Sequence, residues 1–168
     1  MGPCSGSPVR SQGAQAWTVW YCGQYHAAML RVVLDTNVIV SALRSRRGAS
    51  FALLEHLEHG DFEAAISVPL VLEYEDVLLR KPIAGALTPD DVRDFLDGLC
   101  SIAHRQPIFF LWRPLLSDPK DDMVAELAVA AECAAVVTHN VRDFAGLDAF
   151  DVKVLTPAQL LQRLRGVK

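Results

Sequence analysis

An α/β fold with a central, mainly parallel sheet is what this sequence predicts, and three observations carry the prediction. Short apolar runs alternate with longer stretches of helical periodicity, the pattern of strands joined by crossover helices. Turn and cap residues fall between them, at Asp35-Thr36-Asn37, Gly60, Thr88-Pro89-Asp90-Asp91 and Ser117-Asp118-Pro119. The length of 168 residues suits one domain with a sizeable core.

The first strand is read at residues 30 to 34, where Val32, Val33 and Leu34 stop abruptly at Asp35-Thr36-Asn37. Apolar residues resume at Val38, Ile39, Val40 and Leu43 as a helix-like continuation. Two readings of the polar triplet stay open at this point. All three residue types favour tight turns and helix N-caps. Alternatively, Asp35 is an active-site carboxylate at the carboxyl end of a central strand, where open α/β sheets place ligand chemistry.

Residues 49 to 60 follow as a helix, with Phe51, Leu53, Leu54 and Leu57 at helical spacing and Gly60 as its stop. Residues 62 to 68 read as a short strand, after which Pro69 opens a helix where its missing N–H does no harm. In that helix Leu70, Tyr74, Val77 and Leu78 form an apolar stripe, and Glu73, Asp76 and Arg80 share the other face. Thr88-Pro89-Asp90-Asp91 starts a helix carrying Val92, Phe95, Leu96 and Leu99. Residues 108 to 112, Ile-Phe-Phe-Leu-Trp, read as a strand. Residues 117 to 122 turn into a helix that buries one side, made of Met123, Val124, Leu127, Ala128 and Ala131. Residues 134 to 140 and 152 to 156 read as the last strands, before a final helix from Pro157.

Composition narrows the class. With 51% hydrophobic and 21% charged residues the chain reads as soluble and globular, and no apolar run approaches the roughly 20 residues of a membrane span. Cys4, Cys22, Cys100 and Cys133 are scattered without a CxxC pair, which suits reduced thiols in a cytoplasm. A net charge of −4 argues against gripping nucleic acid by bulk electrostatics. It leaves room for an enzyme whose acidic site is neutralised by cations. Residues 1 to 28 contain no Asp, Glu or Lys, and Arg10 is their one arginine. They lack the layout of a signal peptide, and Met29 stands directly before the first strand. They are therefore expected to be a disordered N-terminal extension, with the folded domain spanning 29–168.

Several polar groups fall at equivalent places in this reading. Asp35 ends the first strand, and Glu73 lies about one turn inside the helix after the second. Asp121 and Asp122 sit at a helix N-terminus, while Asn140 and Asp143 follow a later strand. A parallel sheet brings strand ends and the following helix starts to one edge, so these groups can converge. Clustered carboxylates repel and raise one another's pKa, and a divalent cation resolves that. Oxygen ligands suit Mg²⁺ or Mn²⁺. Each acid alone has an ordinary explanation: Asp121 and Asp122 as complements to a helix dipole, Glu73 as a solvated helix residue, Asp143 as a turn residue.

Taken together, "VVLDTNVIVSAL", "SVPLVLEYEDVLLR", "DPKDDMVAELAVAAECAAVVTHNVRDF" and "VKVLTPAQLL" resemble a PIN domain, over about residues 30 to 162. The likeness is to the group that acts as toxins of bacterial toxin–antitoxin pairs. It implies a three-layer α/β/α domain and a metal-dependent ribonuclease whose products carry a 5′-phosphate and a 3′-hydroxyl. Carried onto this chain, the catalytic and metal-binding acids are Asp35, Glu73 and Asp121, with Asp122 beside the last. Where the family places a fourth acid this chain has Asn140, so Asp143, three residues on, is expected to supply the fourth charge while Asn140 orients it or a water. Thr36, Asn37 and Thr138 are the residues expected to orient carboxylates by hydrogen bonds. Arg44, Arg46 and Arg47 are RNA-contact candidates, with a solvated loop as their ordinary reading. The resemblance further implies Mg²⁺ or Mn²⁺, an RNA substrate, a small antitoxin protein and a homodimer.

Rival readings have less support. A phosphatase using Asp35 as nucleophile wants a second acid two residues on, where this chain has Asn37. No GxGxxG or GxxxxGK[ST] phosphate loop is present. His56 and His59 are three apart on a helix with no third ligand near them in sequence. The serious alternative is a catalytically degenerate PIN fold that binds proteins, and Asn140 is its supporting feature.

Overall fold

Val32, Val33 and Leu34 are buried on every side, and in the computed structural model they form the central strand, β1 (Arg31–Leu34). The structure describes residues 29–80, 87–108, 116 and 119–166. Within them β1 is joined by β2 (Glu63–Ile66), β3 (His104–Arg105), β4 (Ala135–Val137) and β5 (Lys153–Leu155). The strand order is β3-β2-β1-β4-β5 and every neighbouring pair is parallel. Val32 sits opposite Ala64 on one side and Ala135 on the other, and Leu34 is in register with Val137. The chain builds outward from β1 in one direction and then in the other. The carboxyl ends of β1 and β4 thus flank a topological switch point, where open parallel sheets form their binding crevices.

Six helices among the described residues complete the three-layer α/β/α arrangement: α1 (Thr36–Arg44), α2 (Ala49–Glu58), α3 (Val68–Arg80), α4 (Pro89–Ile102), α5 (Pro119–Ala130) and α6 (Pro157–Gly166). Local chemistry sets their ends. Gly60, at φ +74°, reverses the chain after α2, and the amides of Gly60 and Asp61 donate back to the carbonyls of Leu57 and His56. Thr88 and Asp91 cap α4 reciprocally, each side chain accepting from the other's backbone N–H. Leu70, Tyr74 and Leu78 bury one face of α3, which turns the face bearing Glu73 away from the core.

The structure departs from the sequence reading in three places. The strand read at 108 to 112 is not found at Ile108, which lies in no regular element, and 109 to 112 fall outside the described residues. The edge strand is instead β3, two polar residues paired with Ala65 and Ile66. Edge strands are often short and charged, which discourages edge-to-edge association, so no apolar run announces them. Helix α5 buries more than one side: Asp122, Val124, Ala125, Glu126, Leu127 and Ala128 are all buried. It packs on β1, β2 and β4, while α3 and a 3-10 turn at Val141–Phe144 close on it. That turn and a second at Leu147–Phe150 fill the stretch between β4 and β5, to which the sequence assigns no element. The expectation for residues 1 to 28 lies outside the described residues. No helix among the described residues is long and apolar enough to cross a membrane.

Candidate active site

Asp35 takes its place from the strand it ends. Its N–H donates to the carbonyl of Val137 at 2.9 Å, which continues the β1–β4 pairing one residue beyond the strand. It occupies the N-cap position of α1 without a well-formed cap hydrogen bond, although the N–H groups of Thr36 and Asn37 face its carboxyl. The carboxylate is held by side-chain donors as well. Oδ2 accepts from Thr138 Oγ1 at 2.6 Å and from Asn37 Nδ2 at 2.6 Å. Thr138 Oγ1 in turn accepts from Asn37 Nδ2 (3.0 Å) and from the Asn140 N–H (2.9 Å). Asn37 Oδ1 accepts from the His139 N–H at 3.1 Å. The ends of β1 and β4 are stitched together by side chains whose hydroxyl and amide serve as both donor and acceptor. Ser50, buried at the start of α2, adds a 3.0 Å contact to His139 Nε2.

Behind this network, the buried Tyr74 hydroxyl donates to the carbonyl of Leu34 and fixes the residue just before Asp35. Burial, reinforced by the charges of Asp35 and Glu73, pushes the phenol well above its usual range, so it stays a donor. Asp35 is itself shifted. Burial pushes its carboxyl up, the Thr138 hydroxyl and the backbone N–H groups of Asn37 and Thr36 pull it down, and the charge of Asp143 adds a smaller upward push. Burial wins. A carboxylate in this position gains from a nearby cation.

Asp35, Glu73 and Asp121 line one cavity of about 470 Å³, together with Thr36, Asn37 and Asn140. Glu73 enters from α3 and Asp121 from the first turn of α5. Asp122 does not line it. Successive helix residues point about 100° apart, so Asp122 faces the interior, where its Oδ1 accepts from the Leu116 N–H at 2.6 Å. Asn140 lines the cavity, whereas Asp143 lies outside its wall on the exposed 3-10 turn and reaches Asp35 through its charge. Phe144, next to Asp143, is fully buried and anchors that turn. Thr36 lines the cavity and meets the Asp35 carboxyl through its backbone N–H, not through its hydroxyl. Its buried Oγ1 has no partner, which leaves an oxygen ready to meet a ligand or water. Of the three arginines singled out from sequence, Arg44 lines the cavity, and Arg46 and Arg47 are exposed beyond α1 without lining it. Arg80, at the end of α3, also lines it and was not among the sequence candidates.

The donor set fits a hard divalent cation, because the acidic groups on the cavity wall are all carboxylates and the orphaned group is a hydroxyl. Among the described residues, no three His, Cys, Asp or Glu side chains stand together as a ready ligand cluster.

A family model described as a PIN domain matches residues 31–142. Among solved structures, the chain resembles VapBC2 from Rickettsia felis bound to a DNA fragment from its promoter, with TM-score 0.54, 17% identity and coverage of 76% of this chain and 98% of that one. It also resembles VapBC-1 from nontypeable Haemophilus influenzae (TM-score 0.53, 16% identity, 77% and 99% coverage). A third likeness is to PAE2754 from Pyrobaculum aerophilum (TM-score 0.54, 16% identity, 82% and 90% coverage). At these identities the likeness is one of fold. No curated protein matches the chain.

Proposed function

The chain belongs to the PIN domain family, and on that premise we propose that it is a metal-dependent ribonuclease that hydrolyses RNA phosphodiester bonds. One observation carries the reading: Asp35, Glu73 and Asp121, brought from three separate elements, line a single cavity beside a strand-end network that holds the Asp35 carboxylate. These three residues would hold Mg²⁺ or Mn²⁺, directly or through water. When bound, such a cation lowers the pKa of water and offsets charge developing on the phosphate. The residues do the rest. Thr138 and Asn37 fix the orientation of Asp35, the buried Tyr74 holds the strand end behind it, and Asn140 presents an amide where a carboxylate is usual in the family. Asp143 contributes charge from outside the cavity wall.

The likeness to VapBC structures supports reading the chain as the toxin of a toxin–antitoxin pair with a small antitoxin as partner; a homodimer acting in the cytoplasm is part of the same proposal. The second reading, a degenerate PIN fold that binds proteins without cutting RNA, is favoured by Asn140 on the cavity wall.

Titration of Mn²⁺ against cleavage of a labelled RNA separates the two. Asp35→Asn is expected to abolish cleavage at every metal concentration. Asp143→Asn is expected to need more metal and reach lower activity. If Asp143→Asn overlays the unsubstituted chain while Asn140→Ala is dead, Asn140 fills the fourth position. If no variant differs from the unsubstituted chain, the nuclease reading goes.

A further inference from the structure

Helix α3 presents Glu73, Val77 and Arg80 to the cavity at one- and two-turn spacing. Arg44 reaches the same cavity from the last turn of α1. The recess is therefore acidic at its base and edged by two guanidinium groups. Arg80 is paired with Asp76 one turn back on the same helix: its Nε donates to Asp76 Oδ1 at 2.7 Å and its Nη2 pairs with Asp76 Oδ2. Both side chains are more than half exposed, so the pair adds little to stability. It engages two of the five N–H donors of a guanidinium, and three remain. A planar fork of this kind matches a phosphate.

We propose that Arg80, with Arg44, holds the RNA backbone at phosphates neighbouring the one that is cut. The proposal rests on the ribonuclease reading above and adds to it the path of the strand. Seven residues of helical rise separate the backbones of Glu73 and Arg80 by about 10 Å. That offset suits an adjacent phosphate of the same strand, not the one the carboxylates address. Local cations are also needed, because a chain of net charge −4 does not attract RNA as a whole. A cationic track along the backbone is the usual means of holding a strand.

The test uses the full chain carrying Asp35→Asn, so that RNA is not consumed, with Mg²⁺ present and a fluorescent single-stranded RNA titrated at several salt concentrations. Adding Arg80→Ala is expected to weaken binding about tenfold and to flatten the plot of log affinity against log salt by about 0.7, one phosphate contact for a single strand. Arg80→Lys keeps the charge, so it should restore the slope and only part of the affinity. An Arg80→Ala variant that matches its parent in both affinity and slope overturns the assignment. Cleavage by the unsubstituted chain is followed in parallel. RNA that binds with the expected slope but is never cut removes the ribonuclease reading and leaves the phosphate contact standing, whereas a chain that binds no RNA removes both.

Discussion

Two donors converge on one oxygen of Asp35, yet burial still holds its carboxyl above the ordinary range. The sign of the consequence can be worked out. Between the unfolded value of 3.8 and the raised folded value, the folded chain binds the proton more readily, so stability falls as pH rises through that window. Above it, ionised Asp35 is a standing cost in the metal-free chain. Asp35→Asn, which removes the charge and keeps an acceptor for Thr138 and Asn37, is therefore expected to raise the melting temperature at neutral pH without metal. The rise should be about 2–4 °C for each kcal/mol relieved. Added Mg²⁺ or Mn²⁺ should stabilise the unsubstituted chain and do little for the variant. Scanning calorimetry with and without metal checks both, and a variant that melts lower than its parent in the absence of metal contradicts the account. At this scale the sequence was readable where a residue type broke a pattern: Asp35 interrupts an apolar run, and its neighbours Asn37 and Thr138 carry the groups such a carboxylate needs. Thr36 was less readable, since nothing in the triplet says which hydroxyl will be left without a partner. Asp121 and Asp122 are distinguished in the sequence by the family resemblance alone; the helix then turns Asp121 to the cavity and Asp122 to the interior.

The elements were legible in proportion to how much apolar surface each one buries. β1, β2, β4 and β5 and all six helices follow from apolar runs, stripes and caps, whereas β3 is two polar residues and each 3-10 turn is only four residues long. Arg80 went unnoticed for a related reason. Its face on α3 was visible as polar, but only the packing of α1 against α3 shows that this face borders the cavity. Tyr74 belongs to the same helix and was read simply as part of its apolar stripe. Its hydroxyl makes α3 a brace for the end of β1. Tyr74→Phe removes the donor to a buried carbonyl and is expected to cost about 1–2 kcal/mol. Urea unfolding should show the loss as a lower midpoint with an unchanged slope. A midpoint identical to that of the parent would mean that the carbonyl of Leu34 is satisfied without the phenol.

For the molecule as a whole, the five strands and six helices described between Arg31 and Gly166 share one core, from Val32 in β1 to Leu160 and Leu161 in α6. We expect a chain beginning at Met29 to unfold at the same temperature as the full 168 residues, because the preceding segment has almost no charge and no clear periodic pattern with which to dock. A loss well beyond a few tenths of a kcal/mol, the usual scatter of neutral surface changes, would show that Trp17 and Trp20 contribute packing.

The strand that comes first in the sequence lies in the middle of the sheet, and one of its two neighbours is β4. Asp35 and the Thr138 that holds it are 103 residues apart. During synthesis, then, the carboxylate leaves the ribosome long before the hydroxyl and the neighbouring strand that give it its environment. Until β4 has been made and has docked, Asp35 is an ordinary solvated acid and the pocket has no wall on that side. Contacts this distant along the chain form late, after the entropy of closing the loop has been met. The activity proposed above would therefore be absent from the nascent chain and from any chain whose translation stops before β4.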